Sequence, residues 1–279
     1  MSRVLSQSLA VTAAAMVVAS VALASAAWSR ADVAPSVEVV GDDVADAFVG
    51  TGSLLLPAGV DDRIRRELAD CPGCRWRLTS PCVDTELGNA FDGQQSCEEA
   101  PSNCRDGTLR RAWHDPGSGT WRNLGLVCVR ESLHTVETMG REVRDMLRRD
   151  VPAAEVVSWP AHGAVTQMPT FFASRQPPGP IVLVRDMGGY EVRLEAHPTW
   201  TWEFGDGAER VVQTAGMLRA GADVAHTYRR SGRWEVTCRT VWTAEFTVDG
   251  LGPFPVTSPV RQVASQEVEV GEGRALLIP

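Results

Sequence analysis

The stretch "PTWTWEFGDG", residues 198–207, decides how the second half of this chain is read. Three aromatic residues alternate with polar ones and run into Gly-Asp-Gly. Such a pattern is either an aromatic platform beside a carboxylate or a core strand that ends in a turn. The period of two favours the strand. Val192, Leu194 and Ala196 share one face, and Arg193, Glu195 and His197 share the other. Beyond Pro198, the side chains of Trp200, Trp202 and Phe204 continue the apolar face. Side chains of that size gain most by leaving water. Gly205-Asp206-Gly207 supplies a tight turn, with positive φ at glycine and a carboxylate that accepts backbone N–H groups. A second run, "RWEVTCRTVWTAEF" (233–246), puts Trp234, Val236, Cys238, Thr240, Trp242, Ala244 and Phe246 on one face. Cys238 is therefore expected as a buried, unpaired thiol that packs as a small hydrophobe.

Outward from these runs, residues 156–279 consist of short alternating segments separated by Gly/Pro turns, the pattern of a β-sandwich. "WEFGDG" (202–207), "HTY" (226–228), Gly232 and "WEVTC" (234–238) together resemble the polycystic-kidney-disease (PKD) repeat, over about residues 165–272. The resemblance implies an immunoglobulin-like β-sandwich in which Trp202, Phe204, Gly205, Asp206, Gly207, His226, Tyr228 and Gly232 are structural. It also implies adhesion, spacing or partner binding rather than chemistry. The chain departs from that pattern in its long Gly207–His226 span, in Trp234 where Tyr is usual, and in the extra "FTVDGLGPFPV" (246–256). The overall plan is similar to that of secreted proteins of high-GC actinobacteria, a likeness that supplies no activity.

Upstream, Arg3 is the only charge before "SLAVTAAAMVVASVALASAA", and Ala22-Leu23-Ala24 and Ala24-Ser25-Ala26 both fit small-x-small cleavage. Residues 1–26 therefore read as a signal peptide, with an uncleaved N-terminal anchor as the alternative. Residues 27–60 are weakly patterned and read as a linker with room for a short helix or strand. Residues 61–155 form a Cys-rich α+β region. Six clustered cysteines, Cys71, Cys74, Cys82, Cys97, Cys104 and Cys128, imply up to three disulfides whose pairing the spacing leaves open. "DDRIRRELAD" (61–70) has the charge pattern of a short helix. "ESLHTVETMGREVRDMLRRD" (131–150) is amphipathic through Leu133, Val136, Met139, Val143, Met146 and Leu147. It predicts a helix near 132–150, capped by Ser132 and stopped at Val151-Pro152. The fold class expected is mainly β: a PKD-like sandwich preceded by a disulfide-rich region with one amphipathic helix.

A net charge of −8 and a pI near 5.2 exclude non-specific nucleic-acid binding. The membrane is expected to matter only through residues 1–26, if they are retained. Four sharper readings compete with structural ones. Cys71-x-x-Cys74 has redox spacing, but no helix N-terminus follows to lower a thiol pKa. Zinc held by Cys71, Cys74, Cys82 and a later Cys or His114 lacks a second C-x-x-C, and exported thiols oxidise. Calcium at "GDGAE" lacks the alternating aspartates of an EF-type loop. The histidines His114, His134, His162, His197 and His226 belong to no G-x-S-x-G, H-E-x-x-H or P-loop pattern. No catalytic, cofactor or metal residue is therefore expected. Trp76, Trp113, Trp121 and Trp159 lie outside the alternating runs and are the candidates for stacking on sugar rings, against the commoner role of tryptophan in a disulfide-rich region, packing on the disulfides. The expected function is that of a non-enzymatic exported protein of the cell surface or envelope, whose partner is a protein or a cell-wall polymer. The alternatives are a polysaccharide-binding module and a thiol-disulfide enzyme using Cys71 and Cys74.

Overall fold

The alternation from Tyr190 to Glu203 is one unbroken strand of 14 residues, and the run that ends at Val248 is another of 17. The computed structural model describes residues 37–42, 45–82, 103–104, 107–130 and 132–273. The signal-peptide expectation for residues 1–26 and the Cys97 disulfide expectation lie outside them. The chain is mainly β, as the patterning predicts.

In the first half the elements are β1 (Val37–Asp42), β2 (Ala45–Thr51), β3 (Leu54–Leu55), α1 (Asp62–Ala69) and β4 (Arg75–Thr79). They are followed by β5 (Asn103–Cys104), β6 (Gly107–Asp115), β7 (Arg122–Val129), β8 (His134–Thr135) and α2 (Val136–Asp150). Strands β1-β2-β4-β6-β5 form an antiparallel sheet with β7 also paired to β6. Helix α1 lays Ile64 and Leu68 on this sheet, and with Leu54, Leu56, Trp76, Leu78, Ala112, Val127 and Val129 they make one core. The Asp61 carboxylate caps α1 by accepting from the N–H groups of Arg63 and Ile64.

Much of the span 27–60, read as linker, is structured: β2 and β3 lie at residues 45–55, and Leu54, Leu55 and Leu56 are fully buried. The apolar run is too short to show a period, which is why it looked patternless. Trp76 and Trp113 are not surface aromatics. Trp76 faces α1, and a Cβ built on the directly paired Gly50 would meet its ring at 2.2 Å. Trp113 lies on the opposite face, where its indole N–H donates to Thr79 Oγ1 at 3.1 Å.

The second half comprises β9 (Val156–Trp159), β10 (Ala164–Val165), β11 (Pro169–Ser174), β12 (Ile181–Met187) and β13 (Tyr190–Glu203). Next come β14 (Glu209–Val212), β15 (Ala225–Thr227), β16 (Gly232–Val248), β17 (Leu251–Pro255) and β18 (Val260–Gly271). A seven-stranded sheet runs β10-β18-β16-β13-β12, with β14 on β13 and β17 on β16. Strands β15-β11-β9 form a second, three-stranded sheet.

The long sheet is covered in two parts. At one end the three-stranded sheet packs Phe172, Val224 and Tyr228 against Trp200, Trp202, Phe204, Val236 and Cys238. At the other end α2 packs Met139, Val143, Met146 and Leu147 against Tyr190, Val192, Leu194, Trp242 and Phe246. A 17-residue strand at about 3.3 Å per residue exceeds what three short strands can cover, so the helix takes the remainder. Thr135, rather than Ser132, caps α2, through a reciprocal box with Thr138. The stop at Val151 is as the Pro152 rule predicts.

Candidate functional site

At the end of the sandwich the turn residues converge. Gly205 and Gly207 take φ of 82° and 93°, and a Cβ on Gly205 would lie 2.8 Å from the Glu235 carbonyl. Only glycine fits there. The Asp206 carboxylate accepts from the Ala208 N–H at 3.2 Å and lies 2.7 Å from His226 Nε2. The His226 ring stacks flat on Phe204 at 4.4 Å, and Tyr228 stands edge-on to it. The Tyr228 hydroxyl donates to the Phe204 carbonyl at 3.2 Å, and its ring stacks on Trp234. Burial, and then the Asp206 charge, push the Tyr228 pKa well above its ordinary value. Each of these side chains is spent on the turn and on its neighbours, so the cluster braces one end of the sheets. Gly232, at φ 146°, opens β16 beside the Trp234 ring.

A polar hub missed in the sequence lies deeper. Gln176, 5% exposed, accepts through Oε1 from Ser174 Oγ, Trp200 Nε1 and Thr240 Oγ1 at 3.0, 3.0 and 2.7 Å. Its Nε2 donates to the Pro152 carbonyl at 3.1 Å and to Gln262. Cys238 sits nearby, buried and unpaired, and burial pushes its thiol pKa up to about 11. Such a thiol is inert.

The second cluster is built on the first sheet. Direct pairing of Trp76 with His114 turns both toward α1, where Glu67 Oε1 meets His114 Nδ1 at 3.1 Å. Glu67 is also paired with Arg122. Cys71 and Cys74, in the turn between α1 and β4, are bonded to each other with Cα atoms 5.4 Å apart. Cys71 Sγ, Cys74 Sγ and a ring nitrogen of His114 all lie within 4.8 Å of one another. His114 is 3% exposed, and its Nε2 has no hydrogen-bond partner among the described residues. Burial, partly offset by the Asp115 charge, lowers the His114 pKa and keeps the ring neutral. Asp115 points to the other face, where it pairs with Arg75 and accepts the N–H groups of Gly117 and Gly119 at 2.9 and 3.0 Å. The Arg75 guanidinium, and then those N–H groups, hold its carboxyl below the usual range.

Of the other cysteines, Cys104 and Cys128 are bonded across β6, tying β5 to β7, and Cys82 is also disulfide-bonded. His134 packs edge-on to Tyr190, while His162 and His197 are exposed and His197 lies 3.3 Å from Glu195. Trp121 is half-buried beneath the guanidinium groups of Arg75 and Arg77.

The third feature is a face. On the outer side of the β9-β11-β15 sheet, Trp159 pairs with Phe171 and Phe171 with Ala225, while Val157 and Gly216 flank Ala173. Trp159 is 53% exposed and Met168 59%, and Met217 and Leu218, next to Gly216 in the chain, are 40% and 42% exposed. Among the described residues no helix is long and apolar enough to cross a membrane. No protein-family profile matches this chain, and no curated protein matches it.

Proposed function

We propose that the protein is a non-enzymatic, extracytoplasmic contact protein that binds a protein partner through the outer face of the β9-β11-β15 sheet. The observation that carries this reading is Trp159, a half-exposed indole packed beside Phe171 with ring centroids 6.0 Å apart. A large apolar surface left open on a strand-built scaffold is the usual mark of an interaction site, and Trp is the residue most often found at its energetic centre. Three further points support it. Trp200, Trp202 and Trp242 are fully buried and Trp234 partly so, the turn cluster at Asp206 and His226 is consumed by bracing, and disulfides are compatible with an extracytoplasmic location. The PKD-like reading and secretion belong to this proposal and rest on the sequence motifs.

A polysaccharide partner is the second reading, favoured by the same indole, because a ring open on one side can stack on a sugar. The test places a photo-activated cross-linking residue at position 159, or at Val263 on the outer face of the large sheet (63% exposed), in the full chain on living cells. A protein adduct from 159 and none from 263 supports the reading. Adducts to wall polymer alone move it to the polysaccharide alternative, and equal adducts from both positions overturn the face as the contact surface.

A further inference from the structure

We propose that the Cys71/Cys74/His114 cluster is a redox-gated zinc site, closed while the disulfide is intact and open when it is reduced. The two sulfurs and a His114 ring nitrogen already lie within 4.8 Å of one another. In a tetrahedral zinc site, with Zn–S of about 2.3 Å and Zn–N of about 2.0 Å, ligand atoms stand about 3.5–3.8 Å apart. Opening the disulfide frees the sulfurs to reach that spacing, and the turn Cys71-Pro72-Gly73-Cys74 has open space at Gly73, where even an added Cβ would meet nothing within 4 Å.

His114 carries the argument further. Its Nδ1 is held by Glu67 at 3.1 Å, which fixes the tautomer that leaves Nε2 as the lone-pair nitrogen. That nitrogen is buried without a hydrogen-bond partner among the described residues, an arrangement that costs free energy unless something occupies it. A carboxylate behind a ligating imidazole is the usual outer-shell arrangement at zinc, and Glu67 stands in that place. Helix α1 ends at Ala69, so its carbonyl-bearing end precedes Cys71, a polarity that favours a cation and disfavours a low-pKa thiolate nucleophile. The same geometry therefore argues for metal binding over thioredoxin-like exchange. With three protein ligands, the fourth position is left for water.

The step balances. A dithiol reductant passes two electrons and two protons to the Cys71–Cys74 bond and becomes a disulfide itself. Each new thiol then releases its proton to solvent as Zn²⁺ binds both sulfurs.

Cobalt(II) is the probe, because thiolate ligation gives it a charge-transfer band. The reduced full chain is expected to bind one Co²⁺ with that band, displaceable by Zn²⁺, and the oxidised chain to bind none. Cys71→Ser abolishes the band. Glu67→Gln weakens the affinity by about 10–100-fold while the band remains, and Glu67→Asp restores it. His114→Gln weakens it by at least about tenfold. Chains carrying Cys82→Ser, or Cys104→Ser with Cys128→Ser, keep the band. Should a variant fail to fold, alkylation of the unmutated reduced chain serves instead, with Zn²⁺ expected to protect Cys71 and Cys74 and no other cysteine. No band in the reduced chain, a band lost with Cys82 or the Cys104/Cys128 pair, or no protection by Zn²⁺ overturns the proposal.

Discussion

In the β9–β18 half the fully buried side chains include Trp200, Trp202, Trp242, Phe172, Phe246 and Tyr228, with Gln176 as a polar hub among them. In the β1–β8 half a smaller apolar core is accompanied by His114 and Asp115 on its sheet and Arg65 on α1, all at most 5% exposed, and by disulfides at its margins. The first region is held by apolar area along one face of a long sheet, covered at one end by strands and at the other by a helix. The second is held by covalent links and by polar groups that need partners. That difference teaches where chemistry has room: aromatic side chains locked between sheets have none to offer, whereas a neutral buried imidazole facing two sulfurs does.

The largest effect that would break this contrast is expected in the aromatic half. Trp202→Ala removes a fully buried indole between the two sheets and should cost about 3–5 kcal/mol in denaturant unfolding. A loss below about 1 kcal/mol would mean that the indole is not packed as described. Next is Gln176→Leu, which orphans the Trp200 N–H and the Thr240 hydroxyl. Each group left unpaired in the interior costs about 1–3 kcal/mol. Pairing it with Thr240→Val in a double-mutant cycle should show strong non-additivity.

The smallest effect sharpens the contrast by pH. Burial lowers the His114 pKa below its ordinary 6.5, so the native chain keeps the ring neutral. As pH falls through 6.5 toward the lower native value, the unfolded chain takes up a proton that the native one does not, and stability drops. Asp115 adds loss in the same direction at lower pH. Its stabilisation is full above the ordinary 3.8 and disappears as pH falls through the depressed native value. In His114→Gln, the loss between neutrality and mild acid should flatten, as followed by thermal unfolding across that range.

The legibility of the sequence follows the same divide. Strands β13 and β16 were readable because long antiparallel strands with one wet face alternate over many residues, and Cys238 was placed correctly by parity alone. The turn cluster was readable because glycine and aspartate have specific backbone roles there. Gln176 was not, since a glutamine in "SRQPPGP" looks like loop and its partners lie 24 and 64 residues away. Trp76 stood between a stacking and a packing role because "RWRLT" is too short to show which face is buried, and it is fully buried. Its burial depends on Gly50, from a strand that looked like linker. The Glu67–His114 contact spans 47 residues and exists only because α1 crosses the sheet, so no spacing rule could have found it.

Hydrogen exchange of the full chain with and without a dithiol reductant tests most directly whether the two halves are held by different means. The account predicts that amides of β13, β16 and β18 stay protected after reduction, while those of β4, β6 and β7 exchange faster. Equal loss of protection in both sheets, or none in either, would contradict it.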